Sequence, residues 1–171
     1  GDGIHSGPVN SVSSGPRSGD VYIMVSIAGD GVSLYEIHIW RYDGTEFSLM
    51  TNNSHTFSGE ELRSVSWAQS GETLIATASS NNQIRLWRYS SIPPSLTYEG
   101  NSTTAIHNDS DKEPDMTCVA WNAEGDGLPR LLSTSTTGTV VISKVEFGPG
   151  SAGMNVVPIE SSQEWPSTTA G

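Results

Sequence analysis

The chain has 171 residues, 35 % of them apolar, with a formal net charge of −11 and a pI near 4.5. Its length suffices for a sizeable core. Its eight Lys plus Arg form no run, which excludes nucleic acid as the expected partner, because phosphate binding needs clustered cations. A single cysteine excludes an internal disulfide framework, and no apolar stretch is long enough for a membrane span.

Residues 1–20 are rich in Gly, Ser and Pro, and residues 9–13 between Pro8 and Pro16 read as a weak first strand. The start, Gly1 to Ile4, has neither a basic region nor an apolar run, so no signal peptide is expected. Residues 21–26 and 36–42 read as the second and third strands, and 46–50 as an outer, fourth strand. Residues 51–61 read as a polar connection. Val65 and Trp67 then alternate with polar neighbours, as in a strand with unlike faces. Residues 74–78 are evenly apolar, as in a strand buried on both sides. Asn81 and Asn82 suit a tight hairpin, since Asn tolerates positive φ, and Ile84 and Leu86 open the next strand. Residues 95–98, after Pro93 and Pro94, close this unit. An acidic connection runs from Gly100 to Asp115 and contains Asp109, Asp111 and Glu113. A third unit follows, with strands at 117–121, 130–135 and 139–143 and a fourth near 154–159; residues 161–171 read as a polar tail or linker. With 18 Gly and 9 Pro, no long window carries a helical period, so the class is all-β.

The three units match one another. Residues 117–121 repeat the pattern of 63–67, and the third strands of the first two units both end in Trp-Arg-Tyr, at Trp40 to Tyr42 and Trp87 to Tyr89. A self-similar β unit every 40–50 residues or so marks propeller blades. On these residues the chain resembles the WD-repeat β-propeller family over roughly residues 3–160. A His precedes each first strand, at His5, His55 and His107; Trp40 and Trp87 match the family's tryptophan, while Arg41 and Arg88 replace its aspartate. Asn81, and Thr137 in the third unit, stand where the family prefers a turn Asp, and Ser143 replaces the third tryptophan.

The resemblance implies a partial β-propeller of about three four-stranded antiparallel blades, near 3–51, 58–99 and 114–160, within a larger disc of about seven blades. It implies that His55, Thr77, Asn81 and Trp87 are the nearest match to the family's structural hydrogen-bond tetrad. Trp40, Trp67 and Trp121 are expected as core residues beside them.

Candidate chemistry reads as structural. Residues 148–153 match G-x-G-x-x-G, but a β-type run containing Pro158 follows instead of the helix that would receive a phosphate, so this is a turn. The four His show no metal-ligand spacing, and His38, on the same strand face as Trp40, reads as a packed or hydrogen-bonded His. No G-x-S-x-G elbow occurs, and the carboxylates lie in hydrophilic loops with nothing to raise a pKa. Cys118 reads as a small core residue. No catalytic residue, metal or cofactor is expected. The expected function is a non-catalytic protein-interaction scaffold, cytoplasmic or nuclear, within a multiprotein complex. Glu60, Glu61, Asn81, Asn82, Asp109, Asp111, Glu113 and Asp115 form one acidic end that receives a basic segment of a partner, and further blades come from the same or another chain. The alternatives are an accessory propeller of a larger enzyme or signalling protein, or one of the cytosolic iron–sulfur assembly, nucleoporin or coat-complex type.

Overall fold

Short runs of alternating residues, closed by Gly, Asn or Asp, become antiparallel β-strands in the computed structural model of the protein, which describes residues 5–29, 34–56, 60–68, 73–102, 105–107, 114–122, 130–147 and 154–162. Among the described residues there are twelve strands. The first sheet holds β1 (Val9–Ser18), β2 (Val21–Gly29), β3 (Leu34–Tyr42) and β4 (Phe47–Thr56). The second holds β5 (Leu62–Trp67), β6 (Leu74–Ser79), β7 (Ile84–Ser91) and β8 (Pro94–Asn101). The third holds β9 (Met116–Trp121), β10 (Arg130–Ser135), β11 (Val140–Phe147) and β12 (Met154–Ser162). Each sheet is a plain four-strand meander with its strands in sequence order.

The register puts the three sheets on a common frame. Ser26 lies between Val12 and His38, Thr77 between Val65 and Arg85, and Ser133 between Val119 and Val141. The next pleat outward holds Trp40, Trp87 and Ser143, so the missing third tryptophan is a change at an otherwise repeated position. The turn between second and third strands repeats too. In the second sheet Asn82 takes φ 61° and donates its N–H to Ser79 O; in the third Gly138 takes φ 81° and donates to Ser135 O. Both sites need the left-handed region, which Asn and Gly enter most readily.

Several strands run past their expected ends. β4 continues to Thr56 through what reads as a polar connection. A bulge between Ile39 and Trp40 resets the register, and residues 51–56 then pair with β3 back to Leu34. Hydrophobicity does not announce this, because an outer strand needs only its edge paired. β1 reaches Ser18 with two register shifts, and as an inner edge strand it tolerates Pro16. β8 begins at Pro94, after a cis Ile92–Pro93 peptide, and extends to Asn101. Ser161 and Ser162, expected in the tail, pair with Val141 and Val140. The G-x-G-x-x-G run and residues 163–171 lie outside the described residues.

Two cores separate the sheets. Val25, Ile27, Ile37 and Ile39 of the first sheet meet Val65, Trp67, Ile75, Trp87, Tyr89 and Leu96 of the second. The other face of the second sheet, with Leu74, Ala76, Ala78, Ile84 and Leu86, meets Val119, Trp121, Leu131 and Val141 of the third. Every residue of β6 is buried, which its evenly apolar sequence requires. Trp67 lies across β1 so closely that a Cβ on Gly15 would stand 2.6 Å from the indole.

The inner strands are also stitched by serines. Val65 N–H and Trp67 N–H donate to Ser11 Oγ and Ser13 Oγ at 3.3 and 3.0 Å. One sheet further on, Val119 N–H and Trp121 N–H donate to Ser64 Oγ and Ser66 Oγ at 3.2 and 3.1 Å. Edge N–H groups that would be costly to bury unpaired therefore find partners on the neighbouring sheet.

Candidate functional site

Two polar constellations stand out: one at the turn end of the second sheet, the other buried in the first. At the turn end, Glu61 O and Asp115 O accept N–H bonds from Ser80 and Thr136, so the two acids occupy the same place in successive sheets. Arg63 Nη2 lies 2.9 Å from Asp115 and 3.5 Å from Glu61, tying the two positions together. Glu60 pairs with Arg85, a residue buried on β7, and also accepts from Asn81 Nδ2. The expected acidic end is thus partly compensated: Glu60, Glu61 and Asp115 each face a guanidinium that no sequence spacing advertised.

The two turn asparagines part company. Asn81 is exposed and also accepts from Ser79 Oγ. Asn82 is buried, and its amide clamps both backbone groups of His107: Oδ1 accepts from His107 N–H at 2.9 Å while Nδ2 donates to His107 O. It holds the next segment in place and presents nothing to a partner. Asp109, Asp111 and Glu113 lie outside the described residues.

The tetrad expectation needs redrawing. In the second sheet Trp87 Nε1–H donates to Thr77 Oγ1 at 3.0 Å, as the resemblance implies. Asn81, however, bonds Ser79 and Glu60, and the side chain of His55 lies outside the described residues; its backbone belongs to β4. The fuller set is in the first sheet. Trp40 Nε1–H donates to Ser26 Oγ at 2.8 Å, Ser26 Oγ lies 2.7 Å from His5 Nε2, and His5 Nδ1 lies 3.2 Å from Glu36 Oε2. Glu36, a strand residue 31 positions from His5, takes the acid's part. In the third sheet His107 is 3.1 Å from Ser133 Oγ and 2.6 Å from Thr139 Oγ1, so Thr139 rather than Thr137 is its second partner. Ser143, in the tryptophan's place, is buried, and its hydroxyl has no partner among the described residues. Trp67 and Trp121 are core residues, as expected. Cys118 is exposed, because its strand face points away from both cores.

Burial dominates the electrostatics of His107 and His38. It pushes the His107 imidazole down to about 4, since the charged form would lose its hydration. Burial lowers His38 as well, and the neighbouring His5 adds to this against the opposing pull of Glu36. Burial alone would raise Glu36, but hydrogen bonds from Ser6 and His5 and the proximity of His38 hold its carboxyl below the usual range. His5, Glu36 and His38 bring one donor atom each to within 4.8 Å of one another. Spacing could not reveal this group, because two of its members share a strand face and the third arrives from the segment before β1.

Residues 48–88 match the family model described as WD domain, G-beta repeat. The match runs from β4 through β7, so a sequence repeat takes the outer strand of one sheet and the inner three of the next. Denticleless protein homolog A of Xenopus laevis is 33 % identical over 92 residues, covering 50 % of this chain and 12 % of that protein. The WD repeat-containing protein WDS homolog of Arabidopsis thaliana is 29 % identical over 133 residues, covering 74 % and 22 %. The chain therefore spans less than a quarter of the length of either relative. Kluyveromyces lactis Hsv2 superposes with a TM-score of 0.62 at 13 % identity, over 93 % of this chain and 48 % of that one. For Saccharomyces cerevisiae Sqt1 the TM-score is 0.61 at 12 % identity, over 93 % and 36 %. The resemblance to WD repeats is borne out, and the three sheets have the architecture of propeller blades.

Proposed function

We propose that this run of WD-repeat propeller blades is a non-catalytic scaffold for protein–protein interaction within a multiprotein complex, with further blades, from its own polypeptide or another, seated on the open face of the first sheet. One comparison carries the reading. Val12 and Phe47 occupy the positions that Val65 and Leu96 hold in the second sheet. Val65 and Leu96 are 5 % and 7 % exposed because the first sheet covers them; Val12 and Phe47 are 69 % and 63 % exposed. Leu49 is exposed on the same face. Apolar side chains open to water where the second sheet's equivalents are covered favour a cover of like kind. The frame beneath is held by serine stitches and two cores, which suits loops that bind rather than react.

The partner of the turn end is proposed to be a basic segment reaching Glu61 and Asp115, in a cytoplasmic or nuclear setting. Both acids are more exposed than Glu60, and Arg63 is the cation such a segment would displace. Light scattering and native mass spectrometry on protein from its source test the scaffold. Longer or additional chains in the particle support it, and a stable monomer of 18.2 kDa that unfolds cooperatively refutes it.

A further inference from the structure

Given the scaffold reading above, the two seams already built define which blade fits the open face of the first sheet. Val65 faces Thr77 across β5 and β6, yet its N–H leaves that ladder and donates to Ser11 Oγ. Val119 faces Ser133 in the same register and donates to Ser64 Oγ. Val12 faces Ser26 in that register too. Ladder and outward amides alternate along an antiparallel strand, so Val12 N–H also points off the sheet. An amide there needs an acceptor once it is covered, and both existing seams supply a serine hydroxyl from the inner strand of the preceding blade. Val12 is exposed, with no blade in front of it among the described residues.

The side chains of the same face ask for an apolar cover of definite shape. Tyr22, Tyr42 and Phe47 stand side by side on β2, β3 and β4. Tyr42 is stacked on Phe47 with centroids 4.7 Å apart, and Tyr22 lies 6.4 Å from Tyr42. Tyr89 and Leu96, in the places of Tyr42 and Phe47, are buried, whereas Tyr42 is half-buried and Phe47 exposed. Their cover in the second sheet's core is aliphatic: Val25, Ile27, Ile37 and Ile39, with Ile23 and Met50 beside them.

The chain's own third sheet does not match this. Leu132, Val140 and Ile142 hold the places of Val25, Ile37 and Ile39, but Thr134 replaces Ile27. On the inner strand Cys118 and Ala120 replace Ser11 and Ser13. A thiol accepts weakly and a methyl group not at all. Each copy also carries a net charge of −11, which opposes pairing like with like. We propose that the open face of the first sheet seats a propeller blade other than a second copy of this chain, with Ser or Thr at two alternate positions of its inner strand. The first of these hydroxyls accepts Val12 N–H, and the second repeats the part of Ser13 and Ser66. The blade's second and third strands bring aliphatic side chains onto Val12, Tyr42 and Phe47.

Photocrosslinking in the source cells from Phe47→p-benzoylphenylalanine, with the attached peptide sequenced by mass spectrometry, tests this. The expected peptide belongs to a blade with the hydroxyl pair on its first strand. In the wild-type particle, amide exchange at Val12 should be as slow as at Val65. Changing both partner hydroxyls to Ala should speed exchange at Val12 about tenfold and leave Val65 unaltered. The crosslink and the wild-type exchange do not depend on whether that variant folds. A crosslinked blade without the pair, a crosslink to the third sheet of a second copy, or a Val12 amide that exchanges freely overturns the inference. So does a particle that yields no crosslink. Each of these results leaves the scaffold standing if the particle holds longer or additional chains, whereas a stable monomer of 18.2 kDa overturns both.

Discussion

Replacing Gly15 by Ala should destabilise the protein, although such a change in a strand would ordinarily help. The added Cβ would lie 2.6, 2.7 and 2.9 Å from three atoms of the Trp67 ring, closer than real Cβ contacts come. The indole cannot retreat easily. It is 1 % exposed and stands edge-on to Tyr89 with ring centroids 5.5 Å apart. Overpacking of this kind costs about 1–3 kcal/mol, against about 0.4–1 kcal/mol gained from a less flexible unfolded chain. The net loss of about 1–2 kcal/mol should lower the urea midpoint by about 0.5–1 M at an m-value of about 2 kcal/mol/M. Urea titrations of G15A, Trp67→Leu and the double variant close a thermodynamic cycle. With the indole gone, the alanine should become neutral or mildly stabilising, so the coupling should be about 1–3 kcal/mol. A G15A protein as stable as the parent, or a cycle that simply adds, would refute the claim that the first and second sheets are fitted at this contact.

Three other outcomes are expected. The neutral, buried His107 makes folding pH-dependent: its native pKa of about 4 lies below the 6.5 of an unfolded chain, so stability is full above pH 6.5 and falls as pH drops towards 4. About 2–3 kcal/mol should be lost across that window, and H107Q should flatten the dependence of urea midpoint on pH. Ser64→Ala and Ser66→Ala each strand an N–H of β9, so each should cost about 1–2 kcal/mol and speed amide exchange at Val119 or Trp121, read by NMR. Ser143→Ala removes a buried hydroxyl with no partner among the described residues, and thermal melting should show it neutral or more stable by about 0.5–1 kcal/mol.

The strands that sequence identifies best are those whose burial is decided locally. β6 is evenly apolar because both faces are covered, and the Asn81–Asn82 turn is legible because few residues accept the φ of 61° that Asn82 adopts. β4 is not, since residues 51–56 join the sheet through backbone pairing that any side chain permits. The candidate site divides the same way. Thr77 and Trp87 meet by strand register, which period-two reasoning reaches. Glu36 meets His5 across 31 residues, and Arg63 meets Asp115 across two sheets, which no local pattern encodes. The serines at 11, 13, 64 and 66 show in the sequence only as polar alternation; their role as acceptors emerges once an inner strand 54 or 55 residues away is alongside.

That stitching has a direction, and with it a mechanical consequence. β1 and β5 offer hydroxyls forward and β5 and β9 offer amides backward, so load applied in the plane of the sheets passes from strand to strand through paired side chain-to-backbone links. The third sheet breaks the sequence. Where Ser11 and Ser64 stand in the first two sheets it has Cys118, and where Ser13 and Ser66 stand it has Ala120. A further blade seated against β9 would meet no serine hydroxyl at those two places. A pull that shears blade from blade should part that seam before the two stitched ones.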